Sequence, residues 1–294
     1  MGRGFDSVTL VSPVAPSTSD PRALVNPAPL IALLVLLILL VVPSMSSAAS
    51  RVILLDTGIA LDHPELADRI NRDEALTLID DGRGIRDCHG HGTAVASIIA
   101  GRRIGLAPEA TLTPIRILDC DKRATPERVV RALWHILDQR RTGAWPEPTI
   151  INASFALPHD PRIDALVDRL AGLGVPTVAS AGNAGTGACA YSPAGSRTSI
   201  TIGAYETTRR PYWSSNTGPC VDVYAPAHRL GATPPTGYKR RTGTSISAAI
   251  ATGIIARANP ARLTPGEVRR ILRALSVREA WGERLVLRKS GSAA

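Results

Sequence analysis

The sequence predicts an α/β protein whose central, mostly parallel sheet is covered by helices on both faces. Three observations carry this. Short apolar runs such as Val52-Ile53-Leu54-Leu55 alternate with longer stretches of helical period, the pattern of strands buried on both sides. Aromatic residues make up only 4% of the 294, while Ala, Val, Ile and Gly are abundant, which suits close packing of helix on sheet. At 44% apolar content the chain can build one sizeable core, so a second domain is not required.

In chain order, an apolar run from Leu30 to Val42 lies between Pro29 and Pro43. Its thirteen residues are short for a bilayer span but fit the hydrophobic region of a signal peptide. Arg3 and Arg22 precede it, and Ser47-Ala48-Ala49 offers small residues for cleavage after Ala49. Residues 1–49 are therefore expected to direct export, to a secreted or periplasmic location, with a retained membrane anchor as the alternative. Residues 50–294 form the expected folded domain.

Within it, 51–55 reads as a buried strand ending at Asp56, and 91–101 as a nearly all-apolar helix that Gly101 can end. Strands follow at 111–118, 149–154, 176–181, 200–204 and 221–224. Helices follow at 126–140, 160–173, 245–258 and 265–275, the last with Thr264 as N-cap.

The formal charge of +9 is almost wholly arginine, since the lysines are Lys122, Lys239 and Lys289. Basic proteins can bind nucleic acid through phosphates. Here the arginines are scattered and form no stripe with interleaved aromatics, so nucleic acid is not expected as a partner. Cys88, Cys120, Cys189 and Cys220 allow three disulfide pairings; nearest-neighbour pairing would close loops of similar length, and four free thiols is the alternative. No pair has close metal-ligand spacing.

Asp56 in VILLDTGI, His91 in HGHGTAVASIIAG and Ser245 in RTGTSISAAIATG each suit one job in serine-nucleophile catalysis. A serine hydroxyl needs an imidazole to take its proton, and the imidazole needs a buried carboxylate to fix its tautomer. Asp56 ends an apolar strand, where open α/β sheets keep their sites; taken alone it could simply cap its turn. His91 lies between Gly90 and Gly92, which lets the backbone crowd a reaction centre. Ser245 opens a helix, so its own N–H and the positive helix end face any developing negative charge.

These segments, with Ala179-Ser180-Ala181-Gly182-Asn183, resemble the subtilisin-like serine proteases, and among them the proteinase K and aqualysin branch. The order Asp, His, Ser is that of subtilisin, and the likeness covers roughly residues 51–290. It implies a three-layer subtilisin-like sandwich and a serine endopeptidase acting on peptide or protein substrates. His91 is then the base, since it rather than His89 precedes Gly-Thr and the apolar helix; His89 is a loop residue and His63 a structural one. Asn183 is implied as an oxyanion donor beside the Ser245 N–H, and the disulfides as Cys88–Cys120 and Cys189–Cys220. Alanine stands at 249 where the family usually has proline, and should remain helical.

The resemblance also places a substrate cleft between residues 121–124 and Ser154-Phe155-Ala156, where extended peptide would pair as an added strand. Ala156 and Leu157 stand where the family carries glycines, so a narrower cleft is expected. The basic clusters 122–123 and 239–241 are expected to flank opposite ends of that cleft and favour acidic substrate residues, or else to be a solvated basic face. A structural calcium ion is implied on Asp222 and the carbonyls of Arg197 and Ser199; no catalytic cofactor is. With cleavage after Ala49, the cleavable prodomain usual in the family is not expected before the first strand. A peptide-binding relative that does not cleave is the rival expectation.

Overall fold

The structure is a computed structural model that describes residues 49–146, 148–206, 210–260, 263–280 and 282–285. The expected export signal, with its apolar core at 30–42, lies outside them. β1 (Arg51–Asp56), β2 (Leu76–Thr77), β3 (Thr111–Arg116), β4 (Thr149–Ala153), β6 (Thr177–Ser180), β8 (Ile200–Tyr205), β9 (Val223–Pro226), β12 (Ser276–Glu279) and β13 (Gly282–Leu285) form one sheet. Its order is β12-β13-β9-β8-β6-β4-β1-β3-β2, and only the β12–β13 pair is antiparallel. β5 (Leu157–Pro158) pairs with β7 (Tyr191–Ser192), and β10 (His228–Thr233) with β11 (Gly237–Thr242), in separate antiparallel pairs.

Alternation along the strands sorts the core into two layers. Val52, Leu54, Ile150 and Val178 face one layer, which holds helices α1 (His91–Ala100), α4 (Thr244–Ala258) and α5 (Pro265–Ala274). Ile53, Leu55, Ile151 and Ala153 face the other, which holds α2 (Pro126–Arg141) and α3 (Pro161–Gly172). This parity has a consequence for chemistry. Continuing the even-numbered series sends Asp56 at the end of β1, and Ser154 just past β4, toward α1 and α4. Leu55 is in register with Ala153, so those two positions sit on neighbouring strands about 4.8 Å apart.

The three-layer prediction holds, and most boundaries fall within two residues of it. The helix starts follow from local chemistry. Thr125, Asp160 and Thr264 each accept a hydrogen bond from an amide two or three residues on, and Pro126, Pro161 and Pro265 follow them in the first helical turn. α1 and α4 are apolar almost all round because both are buried, and Ala249 is helical and fully buried. β9 starts later than expected because Val221 and Asp222 are drawn into loop bonds to Gly218 and Thr201. The β10–β11 hairpin and the β12–β13 pair were not foreseen. β11, Gly-Tyr-Lys-Arg-Arg-Thr, is largely exposed, so it carries no apolar alternation to read.

Candidate active site

Asp56 is fully buried. Its Oδ1 accepts the Thr57 N–H at 2.7 Å and lies 2.7 Å from His91 Nδ1. A carboxylate in this position only accepts, so Nδ1 carries a ring proton and donates it. Nε2 is buried and has no hydrogen-bond partner among the described residues; the same is true of Asp56 Oδ2. Gly92 lets this approach happen: a Cβ there would stand 2.1 Å from the Gly58 carbonyl oxygen and 3.2 Å from the Asp56 side chain.

Ser245 lies in the first turn of α4, which begins one residue earlier than expected, and is nearly buried. Its Oγ donates to the Ser154 carbonyl at 2.9 Å, and Ser154 Oγ donates to the Ser245 carbonyl at 3.0 Å. The structure thus brings Asp56 and His91 into direct contact and packs the Ser245 turn of α4 against the end of the neighbouring strand, with its hydroxyl turned to Ser154 and not to His91. Asn183 is fixed by its oxygen: Oδ1 accepts both the N–H and the hydroxyl of Thr244, at 3.0 and 3.1 Å. The Asn183 amide N–H groups have no acceptor among the described residues. Gly243, at φ 112°, permits the fit, since a Cβ would stand 3.1 Å from Asn183 Oδ1.

Asp87 was not foreseen, yet it organises the approach to His91. Its Oδ1 accepts from the Thr57 hydroxyl and the amides of His89 and Gly90, and its Oδ2 from the amide and hydroxyl of Thr93. Thr57 Oγ in turn accepts the Gly92 N–H. Gly90 offers no side-chain cap for α1; Asp87, three residues upstream, supplies it. The signal was a carboxylate just before a glycine-flanked helix start.

Both disulfides form as the resemblance implied, Cys88–Cys120 and Cys189–Cys220. The first ties the loop before His91 to residues 119–123. Beneath it the fully buried Arg116 donates to both Asp81 oxygens, at 2.7 and 2.6 Å, and to Cys88 Sγ at 3.4 Å. The Arg116 hydrogen bonds hold the Asp81 carboxyl at about 2.

The rim departs from expectation. Residues 119–123 form a closed turn: the Asp119 N–H bonds the Arg123 carbonyl, the Lys122 N–H the Asp119 carbonyl, and the amides of Asp121 and Arg123 the Asp119 carboxylate. Lys122 sits at φ 63°. Those amides are spent within the turn, so this stretch is not an open pairing edge. Of the basic clusters, Arg241 reaches the His91 loop, its Nη2 donating to the Gly90 carbonyl at 3.3 Å. On the other side Ser154 and Phe155 are buried, Phe155 among the α2–α3 core residues, with its carbonyl accepting from Ser180 Oγ. Ala156 is partly open. His63 is structural as expected, its Nδ1 accepting the Glu65 N–H and its Nε2 3.1 Å from the Gly237 carbonyl.

The three oxygens expected to hold calcium do come together, but around a guanidinium. Arg269 Nε donates to Asp222 Oδ1 at 2.7 Å, and Nη2 to the carbonyls of Ser199 at 2.7 Å and Arg197 at 3.3 Å. This donor set does not fit a calcium ion, which needs six to eight oxygens free to close on it at 2.3–2.6 Å.

Comparison with known proteins agrees with this architecture. The model of the Subtilase family matches residues 48–291. An extracellular serine proteinase of Thermus sp. (strain Rt41A) is 33% identical over 214 residues, covering 72% of this chain and 50% of that protein. Alkaline serine exoprotease A of Vibrio alginolyticus is 31% identical over 205 residues, covering 69% of this chain and 37% of that protein. The chain thus spans half or less of the length of these relatives. A solved structure, that of a cold adapted subtilisin-like serine proteinase, matches with a TM-score of 0.71 at 25% identity, covering 82% of this chain and 90% of that one.

Proposed function

The chain belongs to the subtilase family, and we propose that it is a serine endopeptidase that cleaves peptide bonds through an acyl-enzyme on Ser245. One observation carries the reading: the contact between buried Asp56 and His91 leaves the imidazole Nε2 without a hydrogen-bond partner among the described residues. In the proposed reaction Ser245 Oγ turns from the Ser154 carbonyl to His91 Nε2, which takes its proton as the oxygen attacks the substrate carbonyl carbon. The oxyanion forms against the Ser245 N–H, one of the first-turn amides a helix leaves without internal partners, and the Asn183 amide. The imidazolium, stabilised by Asp56, then protonates the leaving amine as the C–N bond breaks. Water, deprotonated by the same ring, releases the acid and restores the hydroxyl.

Peptide is proposed to enter along Phe155 and Ala156. The closed turn at 119–123 removes part of the opposite edge, which supports a specificity narrower than that of a scavenging enzyme. Two disulfides suit an oxidising compartment, and the apolar run at 30–42 suits export as the route there. Among the described residues no helix is long and apolar enough to cross a membrane.

The hydrogen bond from Ser245 to Ser154 favours one rival, a peptide-binding relative whose hydroxyl stays locked. A serine-directed fluorophosphonate separates the two. Covalent labelling is expected on the intact protein and lost in Ser245→Ala. A folded protein that binds peptide but takes no label would make the binder the better account.

A further inference from the structure

The cluster at Asp222 points to a role outside the reaction, and it stands whether or not the chain hydrolyses peptides. We infer that the Arg269 guanidinium is a built-in cation holding the 197–199 loop to the start of β9, so this site stabilises the fold without calcium. Every oxygen that could bind a metal here is already engaged. Nε meets the Asp222 carboxylate, and Nη2 spans the carbonyls of Ser199 and Arg197. The second carboxylate oxygen accepts the Thr201 N–H at 3.0 Å. The Arg197 side chain is not involved; it is exposed and faces Asp168 at 4.0 Å.

The charge arithmetic is also that of a monovalent cation. Arg269 and Asp222 form a largely shielded ion pair, with 24% and 13% of their side-chain surfaces exposed. The contacts offer one carboxylate and two neutral carbonyls. A divalent ion could enter only by expelling the guanidinium, leaving a positive side chain beside it.

The arginine is also anchored. α5 is capped by Thr264 and buries Val268 and Leu272, one residue before and three after Arg269. The helix therefore fixes where the guanidinium stands, and its planar fork suits three acceptors arranged along two edges. A metal is recruited from solution; this cation arrives with the chain, at the cost of ordering one side chain.

The test is calcium-dependent stability, read as melting temperature with chelator and with millimolar calcium. The intact protein should melt at the same temperature in both. Arg269→Ala should melt lower in chelator and recover by several degrees in calcium, because an ion that binds only the folded state raises its stability by mass action. Should this variant fold only when refolded with calcium, that too supports the inference. The recovery must vanish in Asp222→Asn/Arg269→Ala, which ties it to this site, and Arg269→Lys should stay indifferent to calcium. The inference is overturned if the intact protein gains as much from calcium as Arg269→Ala does, or if Arg269→Ala gains nothing from it or fails to fold with calcium and without.

Discussion

Asp56 and Asp222 both end up beside a cationic or proton-bearing partner, but one cluster is left open and the other is closed. At Asp56, one carboxylate oxygen and the far nitrogen of His91 are buried without partners among the described residues. At Asp222, both carboxylate oxygens and two nearby carbonyls have donors. A buried polar atom left unpaired costs about 1–3 kcal/mol, a cost that falls twice at Asp56 and His91 and that the Asp222 cluster avoids. On the proposed reaction, the difference separates a place left open for chemistry from a place built to hold. Glu65 belongs to the second kind. It is buried and accepts four hydrogen bonds, from the Arg103 and Ile104 amides, Arg103 Nε and the Tyr238 hydroxyl.

If that contrast is right, damage at the open site should strike rate. The largest effect is expected in Asn183→Ala. Removing the amide should lower kcat on the order of 10²–10³-fold, a magnitude known from subtilisin itself rather than derived from this geometry. KM should move little, because the donor meets charge that exists only in the transition state. Steady-state kinetics on one peptide decides it; a loss confined to KM would remove Asn183 from that role.

Damage at a closed cluster should strike stability. Burial, the largest influence on Glu65, pushes its pKa up, but the bonds from Arg103, Tyr238 and Ile104 outweigh it and hold the carboxyl at about 2 against an ordinary 4.5. A depressed carboxyl contributes stability that is complete above its unfolded pKa and is lost as pH falls from about 4.5 through 2. Glu65→Ala should therefore cost about 1–3 kcal/mol at neutral pH, chiefly from the stranded Arg103 and Ile104 amides. The gap from the parent should shrink on acidification through that window. Urea melts at several pH values measure it, and a gap independent of pH would contradict the assignment.

The same contrast explains what could be read from the sequence. The Asp56, His91 and Ser245 segments were legible because each needs small residues at fixed offsets: Gly92 against Asp56, Gly243 against Asn183. The sheet was legible because its strands are buried on both sides. The closed clusters were not, for Asp222 gave no sign that its partner would be Arg269, forty-seven residues on in another helix. Asp87 was passed over because its work depends on the folded position of Thr57. The turn at 119–123 depends on a left-handed lysine, which composition does not announce. The hairpin from 228 to 242 was missed because what fixes it is remote: Gly231 packs closely on Ala94, and Tyr238 bonds Glu65.

The smallest effect concerns the rim of the open cluster. Burial is the largest influence on Lys122 and lowers its pKa; the Asp56 charge pulls it back up, and the Arg241 charge adds a smaller push down. An acidic substrate side chain reaching the Gly90 end of the site would relieve that repulsion. Peptides differing only by Glu or Gln should then differ about two- to five-fold in kcat/KM, the range of a partly solvated charge contact. The preference should shrink in Lys122→Met. It should also fade in the intact protein as pH rises, at a pH below that of an ordinary lysine, because the depressed ammonium discharges earlier. Matched kinetics from neutral to alkaline pH test both. An undiminished preference in Lys122→Met would leave the basic rim a solvated face, and the site's selectivity would then rest on shape at Ala156.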